Sequence, residues 1–342
     1  MIDQQLAEIS SLAIMVTIIL YVLALIGFAA DLASTSQRRS DAKLAQREQR
    51  ELVAAGGASL ASADAARADA AEPAGQDPSA GPSAGTPGTM SAQTFAFVLV
   101  GIGTALHLVG VATRSGATKE VPWTNMYEFA TTSTAIVMLA FLVFSIRRRE
   151  LRVLGTFVLG PVLVALMLAQ LVWIVPAAEL TPSLQNSHWI YIHIAVAVLA
   201  TSLSILGAVV ASLQLLQARH ERAGEGRWGA VGRVLDRLPS STVLEGLSFR
   251  IHSVGFVCWT FTLIFGAIWA REAWGRYWGW DPKEVWTFII WVIYAAYLHA
   301  RTTGGFRGSR AAWLALAGFL AVVFNYTIVN TVINGLHSYS GL

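Results

Sequence analysis

Eight apolar runs constrain this chain more than any other feature, because each is close to the ~20 residues that a helix needs to cross a hydrocarbon core. They fall at about 11–30, 93–112, 128–146, 153–174, 190–216, 251–270, 284–303 and 312–334. In lipid, the backbone N–H and C=O groups of each run must be satisfied within the segment, so such runs fold as helices. The predicted fold class is therefore all-α: a polytopic membrane helix bundle of about eight transmembrane helices. Only 13% of the 342 residues are charged, against about 25% in soluble domains, and the mean hydropathy is +0.55. The first run is preceded by Asp3 and Glu8 and followed by Arg38, Arg39 and Lys43, the flanks of a retained span rather than of a signal peptide. Gly160 and Pro161 predict a kink in the fourth run.

The basic residues set the expected orientation. Nineteen of the 24 Lys and Arg lie in alternate loops, around Arg38–Arg67, Arg147–Arg152, Arg219–Arg250 and Arg301–Arg310. The other loops hold Arg114, Lys119, Arg271, Arg276 and Lys283. The positive-inside rule then predicts both termini outside and the basic loops in the cytoplasm. Residues 1–30 read as an N-terminal transmembrane helix and residues 31–92 as a cytoplasmic segment. That segment is first basic, then an Ala/Gly/Pro/Ser-rich disordered linker. Residues 93–342 read as the main membrane domain. Within 218–250, Trp228, Val231, Val234 and Leu235 fit an amphipathic segment on the inner surface and a solvated loop equally well. Cys258 stands alone in an apolar run, so no internal disulfide forms, and it reads as a small buried apolar residue.

The chemistry concentrates in Trp269–Trp291, which holds six of the twelve tryptophans. An interfacial belt needs one or two Trp per helix end. Here Trp274, Trp278 and Trp280, with Tyr277 between them, fall within seven residues, spaced by Gly275 and Gly279. This density favours a platform for a large flat ligand. Asp281-Pro282-Lys283-Glu284 predicts a helix start, with Asp as N-cap, Pro at the first position and Glu at the third. On the predicted topology His193 and His337 lie on the platform's side of the membrane, with His188 beside them. His299 lies about 26 Å along the next helix from Pro282, so it belongs to a second site nearer the cytoplasm. His107, His220 and His252 read as structural. Two histidines beside an aromatic platform suit axial ligation of haem iron, and Arg276 and Lys283 are placed to pair with its propionates.

Trp274-Gly275-Arg276-Tyr277-Trp278-Gly279-Trp280-Asp281-Pro282-Lys283-Glu284 resembles the WWD motif of haem-handling membrane proteins, specifically the CcsA/ResC family of System II cytochrome c biogenesis. Further segments fit the same family: Asn125–Glu128, Trp189–His193, Leu244–Arg250, Tyr297–His299 and Gly335–Tyr339. The resemblance covers roughly 120–342 and leaves residues 1–92 unexplained. It implies a membrane domain over 93–342 with an external WWD loop at 271–283. It also implies that His193 and His337 hold haem b on either side of the WWD surface, and that His299 holds haem in transit. The second ligand of the transit site would come from a ResB-type membrane partner, with His252 as an alternative local ligand.

On this resemblance the chain belongs to a holocytochrome c synthase, or haem lyase, complex. It moves haem across the cytoplasmic membrane, or the thylakoid membrane if plastid. There it presents haem for thioether attachment to the C-x-x-C-H segment of an apocytochrome c, whose thiols other proteins keep reduced. Three readings compete: a CcmC-type haem exporter without ligation, a cofactor-free solute transporter and a b-type electron-transfer cytochrome. The Asp-Pro-Lys-Glu continuation argues against the first and the lack of inverted repeats against the second. The surface depth of the outer histidine pair argues against the third. No general acid/base pair is assigned.

Overall fold

The computed structural model describes residues 2–63, 91–177, 187–223, 228–303 and 305–337, and for 35–63 and residue 230 the backbone alone. The regular elements are helical. In order they are α1 (Gln4–Ala63), α2 (Ala92–Thr118), α3 (Met126–Arg147), a 3-10 segment (Arg149–Leu154), α4 (Gly155–Leu171), α5 (His188–Ala223), α6 (Gly229–Leu235), α7 (Ser241–Trp274), α8 (Pro282–Thr302), α9 (Ser309–Tyr326) and α10 (Ile328–Thr331). The chain is a polytopic helical membrane bundle, as the apolar runs predict. Among the described residues seven helical segments are long and apolar enough to cross a membrane. The predicted span 284–303 corresponds to α8, which has the length, 21 residues. Its Trp286, Trp291, Tyr294 and Tyr297 and the charges at its ends keep its hydropathy lower.

The N-terminal segment departs from expectation. α1 does not end near residue 30 but runs on to Ala63, through the basic stretch and into the segment read as linker. Ala, Leu, Arg, Gln and Glu dominate 41–55 and are strong helix formers, and no proline occurs before Pro73. The rest of the expected linker, 64–90, lies outside the described residues, as do Ser338 and Tyr339. α4 continues through Pro161, whose ring is on the exposed side of the helix. α6 docks rather than floats: Leu235 and Leu238 are buried in the main core, with Trp228 and Val234 against it, while Val231 is exposed.

α5 is the axis of the bundle. One large apolar core gathers α1 to α5, and a second gathers α5, α7, α8 and α9. α1 and α2 approach closely where Gly103 meets the Tyr21 ring and Gly110 meets Ile14, the small-residue contact typical of membrane helix pairs. α5 and α7 are antiparallel: His193 faces Gly266, Leu203 faces Gly255, and Gly207 faces His252. At 36 and 34 residues these two helices are about 50 Å long and extend beyond a ~30 Å hydrocarbon core.

One end of the bundle collects the starts of α3, α5 and α8 and the ends of α2, α4, α7 and α9. The N-terminus joins it, since the Asp3 N–H donates to Ala117 O at 2.9 Å. A buried ion pair braces this end. Arg114 Nε is 2.9 Å from Glu128 Oε1, and Arg114 Nη2 donates to Val175 O at 2.9 Å. Glu128 Oε2 accepts from Thr124 N and Oγ1. Removing one partner of a buried pair costs about 3–5 kcal/mol, whereas an exposed pair contributes under about 1 kcal/mol. Arg114→Ala should therefore lower the thermal midpoint in detergent far more than Arg148→Ala, which breaks the exposed pair with Glu150. Equal midpoints would contradict the bracing role.

Candidate functional site

The Trp-rich loop is held between two helix ends. α7 stops at Trp274 because Gly275 takes the left-handed conformation (φ 75°) and its N–H donates to Arg271 O at 3.1 Å. α8 starts with the predicted capping box: the Asp281 side chain accepts from Lys283 N, and Glu284 Oε2 accepts from Asp281 N (3.1 Å) and Gly279 N (2.7 Å). The Arg276 guanidinium lies directly on Gly279, where a Cβ would sit 1.0 Å from Nη1. That nitrogen is 3.8 Å from Glu284 Oε1. Trp280 has a φ of 59°, uncommon for a residue with a side chain.

Asp281 has a second task. Its Oδ2 accepts from His337 Nδ1 at 2.8 Å and its Oδ1 from Leu336 N at 2.7 Å. Gly335 passes so close that a Cβ there would lie 2.6 Å from Oδ1. The C-terminal segment is thereby docked on the start of α8. Burial alone would raise the Asp281 pKa. The hydrogen bonds from His337, Leu336 and Lys283, with the His337 charge, outweigh that and hold it below the usual 3.8. Because a carboxylate only accepts, Nδ1 of His337 carries a hydrogen, and in the neutral imidazole the lone pair is then on Nε2.

His193 is oriented in the same way by other means. Its Nδ1 donates to Thr262 O at 2.9 Å, leaving Nε2 as the basic nitrogen. Gly266 makes the room, since a Cβ there would lie 2.8 Å from the imidazole Cε1. The Trp269 ring, almost fully buried, is 6.3 Å from His193 and nearly parallel to it (12°), and 5.9 Å from His337. Trp274 packs edge-on against both Trp269 (4.7 Å) and His337 (4.9 Å). His193 and His337 line one cavity of about 1240 Å³, open mouth included. Apolar and aromatic side chains, Phe129, Trp259, Trp269 and Trp278 among them, form much of its wall.

The structure sorts the sequence-predicted residues. His193, His337, Tyr277, Trp278 and Lys283 line the cavity. Trp274 and Asp281 stand behind His337 and support it. Arg276 is engaged with Glu284 and Gly279, and Trp280 is 74% exposed; neither lines the cavity. His299 is near the far end of α8, as its spacing predicts, on an exposed stripe with Phe288, Val292 and Ala296. His252 is buried, with Nδ1 donating to Ser248 O, and His107 is buried beside Tyr21. His220 pairs with Asp236. Sequence reasoning missed Gly266, the Thr262 carbonyl, Trp123, Asn325 and Asn330. Thr262, Gly266 and Trp269 do fall at i, i+4 and i+7 on one face of α7, a pattern visible in the sequence.

The family model for "Cytochrome C assembly protein" matches residues 123–337. Curated relatives include three proteins named "Cytochrome c biogenesis protein CcsA". That of Chlamydomonas reinhardtii is 39% identical over 163 residues, 48% of this chain and 43% of the relative. The Guillardia theta protein is 40% identical over 176 residues (48% and 58%). The protein of Synechococcus sp. (strain RCC307) is 37% identical over 179 residues (48% and 57%). The chain thus spans about half the length of the curated relatives it matches.

The docking of His337 on Asp281 has a pH signature. With its folded pKa depressed, the Asp281 carboxylate stabilises the fold above its unfolded pKa, and the contribution is lost as pH falls through the folded value, below 3.8. Asp281→Asn, which keeps an acceptable N-cap, should cost about 2 kcal/mol at neutral pH for the lost charge-assisted bonds. The midpoint gap to wild type should close as pH falls below that range. A gap that is independent of pH would contradict this assignment.

Proposed function

The chain belongs to the cytochrome c assembly protein family, and from that premise we propose that it is a membrane component of a System II cytochrome c synthase. It takes haem b as substrate, moves it across the membrane and presents it at the WWD end for attachment to apocytochrome c. The observation that carries this reading is the pair of imidazoles in one aromatic-walled cavity. Each has Nδ1 committed to a fixed acceptor, which sets the tautomer of the neutral ring. A haem wants two axial nitrogens and flat apolar walls, and the residues present fit both needs.

In this reading His193 and His337 hold the iron between them. Asp281 and the Thr262 carbonyl fix the two tautomers and raise ligand basicity, as outer hydrogen-bond partners of metal-bound imidazoles do. Trp269 and Trp278 line the cavity wall and exclude water. The porphyrin supplies the vinyl groups, and each reduced cysteine thiol of a C-x-x-C-H segment adds across one of them. A carbon–sulfur bond forms, and the thiol hydrogen ends on the neighbouring carbon. The segment's histidine replaces one of the protein's two imidazoles. The protein contributes position, desolvation and control of ligation.

Two features support the rest of the pathway. The basic loops cluster at the end opposite the WWD loop, which supports a cytoplasmic location for them and an extracytoplasmic cavity. His299 lies on an exposed apolar stripe of α8, and an ionisable side chain left facing lipid is costly. That supports coverage by a ResB-type partner helix bringing a second ligand, with other proteins keeping the apocytochrome thiols reduced.

The test is co-expression with a ResB-type partner and an apocytochrome, scoring covalent haem on denaturing gels. His193→Ala and His337→Ala should each cut attachment at least about tenfold while the chain remains in the membrane, in keeping with the loss of an axial ligand. His299→Ala should reduce co-purified haem only in the presence of the partner. Full attachment in the His193→Ala/His337→Ala double variant would sink the reading.

A further inference from the structure

A second cleft, separate from the histidine cavity, opens at the same end of the bundle, between the first turns of α1 and the chain after α4. It measures about 1150 Å³, open mouth included. Ala7, Glu8, Ser11, Leu12 and Met15 fall on one stripe of α1 and form one wall, and residues 174–177 form the other. Arg114 of α2 and Tyr127 of α3 complete the lining. At the opposite end of the bundle α1 and α4 touch directly, with the Phe28 ring against Gly155.

The lining is graded with depth. Among the described lining residues, Glu8 and Arg114 carry the charges. Gln4 begins the first membrane span and Thr118 ends the second, so each charge stands four residues, about 6 Å, inside a span end. That is the boundary between headgroups and hydrocarbon. Leu12 and Met15 lie one and two turns deeper on the same stripe, and both are exposed. Arg114 also has donors to spare. Its Nε serves Glu128 and its Nη2 serves Val175 O, whereas a guanidinium has five N–H groups. The Tyr127 ring, 5.3 Å from the guanidinium carbon, supports it by a cation–π contact. A guanidinium can serve a carboxylate along one edge and a phosphate along another.

We propose that this cleft binds a zwitterionic membrane phospholipid of the phosphoethanolamine type. The phosphate meets Arg114, the ammonium meets Glu8, and an acyl chain runs inward along Leu12 and Met15. One cation and one anion at headgroup depth, above an apolar stripe, match the three parts of such a lipid. A lipid with a phosphate and no amine would set a net negative headgroup against the Glu8 carboxylate. The lipid joins α1 and α2 to the chain after α4. It also sits behind the histidine cavity. Arg114 holds Glu128, and Glu128 holds Thr124. Thr124, Met126 and Phe129, from the same stretch, line that cavity.

The test uses the full chain, delipidated in mild detergent. Phosphatidylethanolamine and phosphatidylglycerol with the same acyl chains are added back in turn, beside glycerophosphoethanolamine and inorganic phosphate. Native mass spectrometry reads the tightest-held lipid, and the thermal midpoint reads stabilisation. Wild type should hold phosphatidylethanolamine about two- to fivefold more tightly than phosphatidylglycerol, the range for one solvent-accessible ion pair. Glu8→Gln should erase that preference. Ala7→Trp, whose ring fills the stripe, should abolish retention without lowering the lipid-free midpoint. Both variants leave Arg114 and its pair with Glu128 intact, and Glu8→Gln keeps the test valid if Ala7→Trp fails to fold. Neither soluble probe should shift the midpoint. Equal binding of the two lipids by wild type, an undiminished preference in folded Glu8→Gln, or unchanged retention in folded Ala7→Trp would overturn the site. Stabilisation by glycerophosphoethanolamine or phosphate to the level of the lipid would assign the cleft to a soluble anion and overturn it equally. Each of these results leaves the haem reading untouched.

Discussion

One carboxylate ties the candidate site together. Asp281 caps α8 and at the same time accepts hydrogen bonds from Leu336 N and His337 Nδ1, more than fifty residues further along the chain. The first contact fixes where the Trp-rich loop ends and where the Lys283 side chain begins. The second brings the C-terminal segment back to that point and sets the tautomer of its histidine. A charge-assisted hydrogen bond is roughly twice as strong as a neutral one, and here it is largely shielded from solvent. Without it the segment that carries His337 would lose its anchor on α8, and the cavity would keep one histidine in place of two.

The second histidine depends on helix packing instead. α5 and α7 run antiparallel in a register that places His193 opposite Gly266 and within reach of the Thr262 carbonyl. Thr262 Oγ1 bonds to Cys258 O, within its own helix, so the carbonyl that orients His193 is held on a regular segment of α7. The two imidazoles thus reach one cavity by different routes, one through a tight helix–helix contact and one through a docked terminus. In such an arrangement the segment that carries His337 can move without disturbing the helix packing that holds His193.

Much of the fold was legible because its determinants are local. Apolar length defines the spans, and the Asp-Pro-Lys-Glu start of α8 is a four-residue signal that the structure reproduces with both reciprocal bonds. Helix-forming composition in 41–55 is legible too, but the aperiodic Ala/Gly-rich stretch beside it hides how far α1 continues past its membrane span, Gln4–Ser34, to Ala63. The site was half legible. Residue types singled out His193, His337, Tyr277, Trp278 and Lys283, which line one cavity, and also Trp280, which does not. They could not show that Glu284 would hold Arg276 on Gly279 while Lys283 turned to the cavity, because both cations sit in the same loop at similar spacing. Nor could they show Gly266, Asn325 or Asn330, whose roles arise from contacts between α5 and α7 and between α8 and the α9 and α10 helices. Such contacts have no sequence period.

The central claim is that His193 and His337 bind one iron between them. Electron paramagnetic resonance of the ferric, haem-loaded protein with 15N-labelled histidine reads this directly through couplings to the axial nitrogens. The account predicts a low-spin signal coupled to two imidazole nitrogens, with one coupling lost in His193→Ala and the other in His337→Ala. A signal coupled to a single histidine, or one that neither substitution alters, would contradict it.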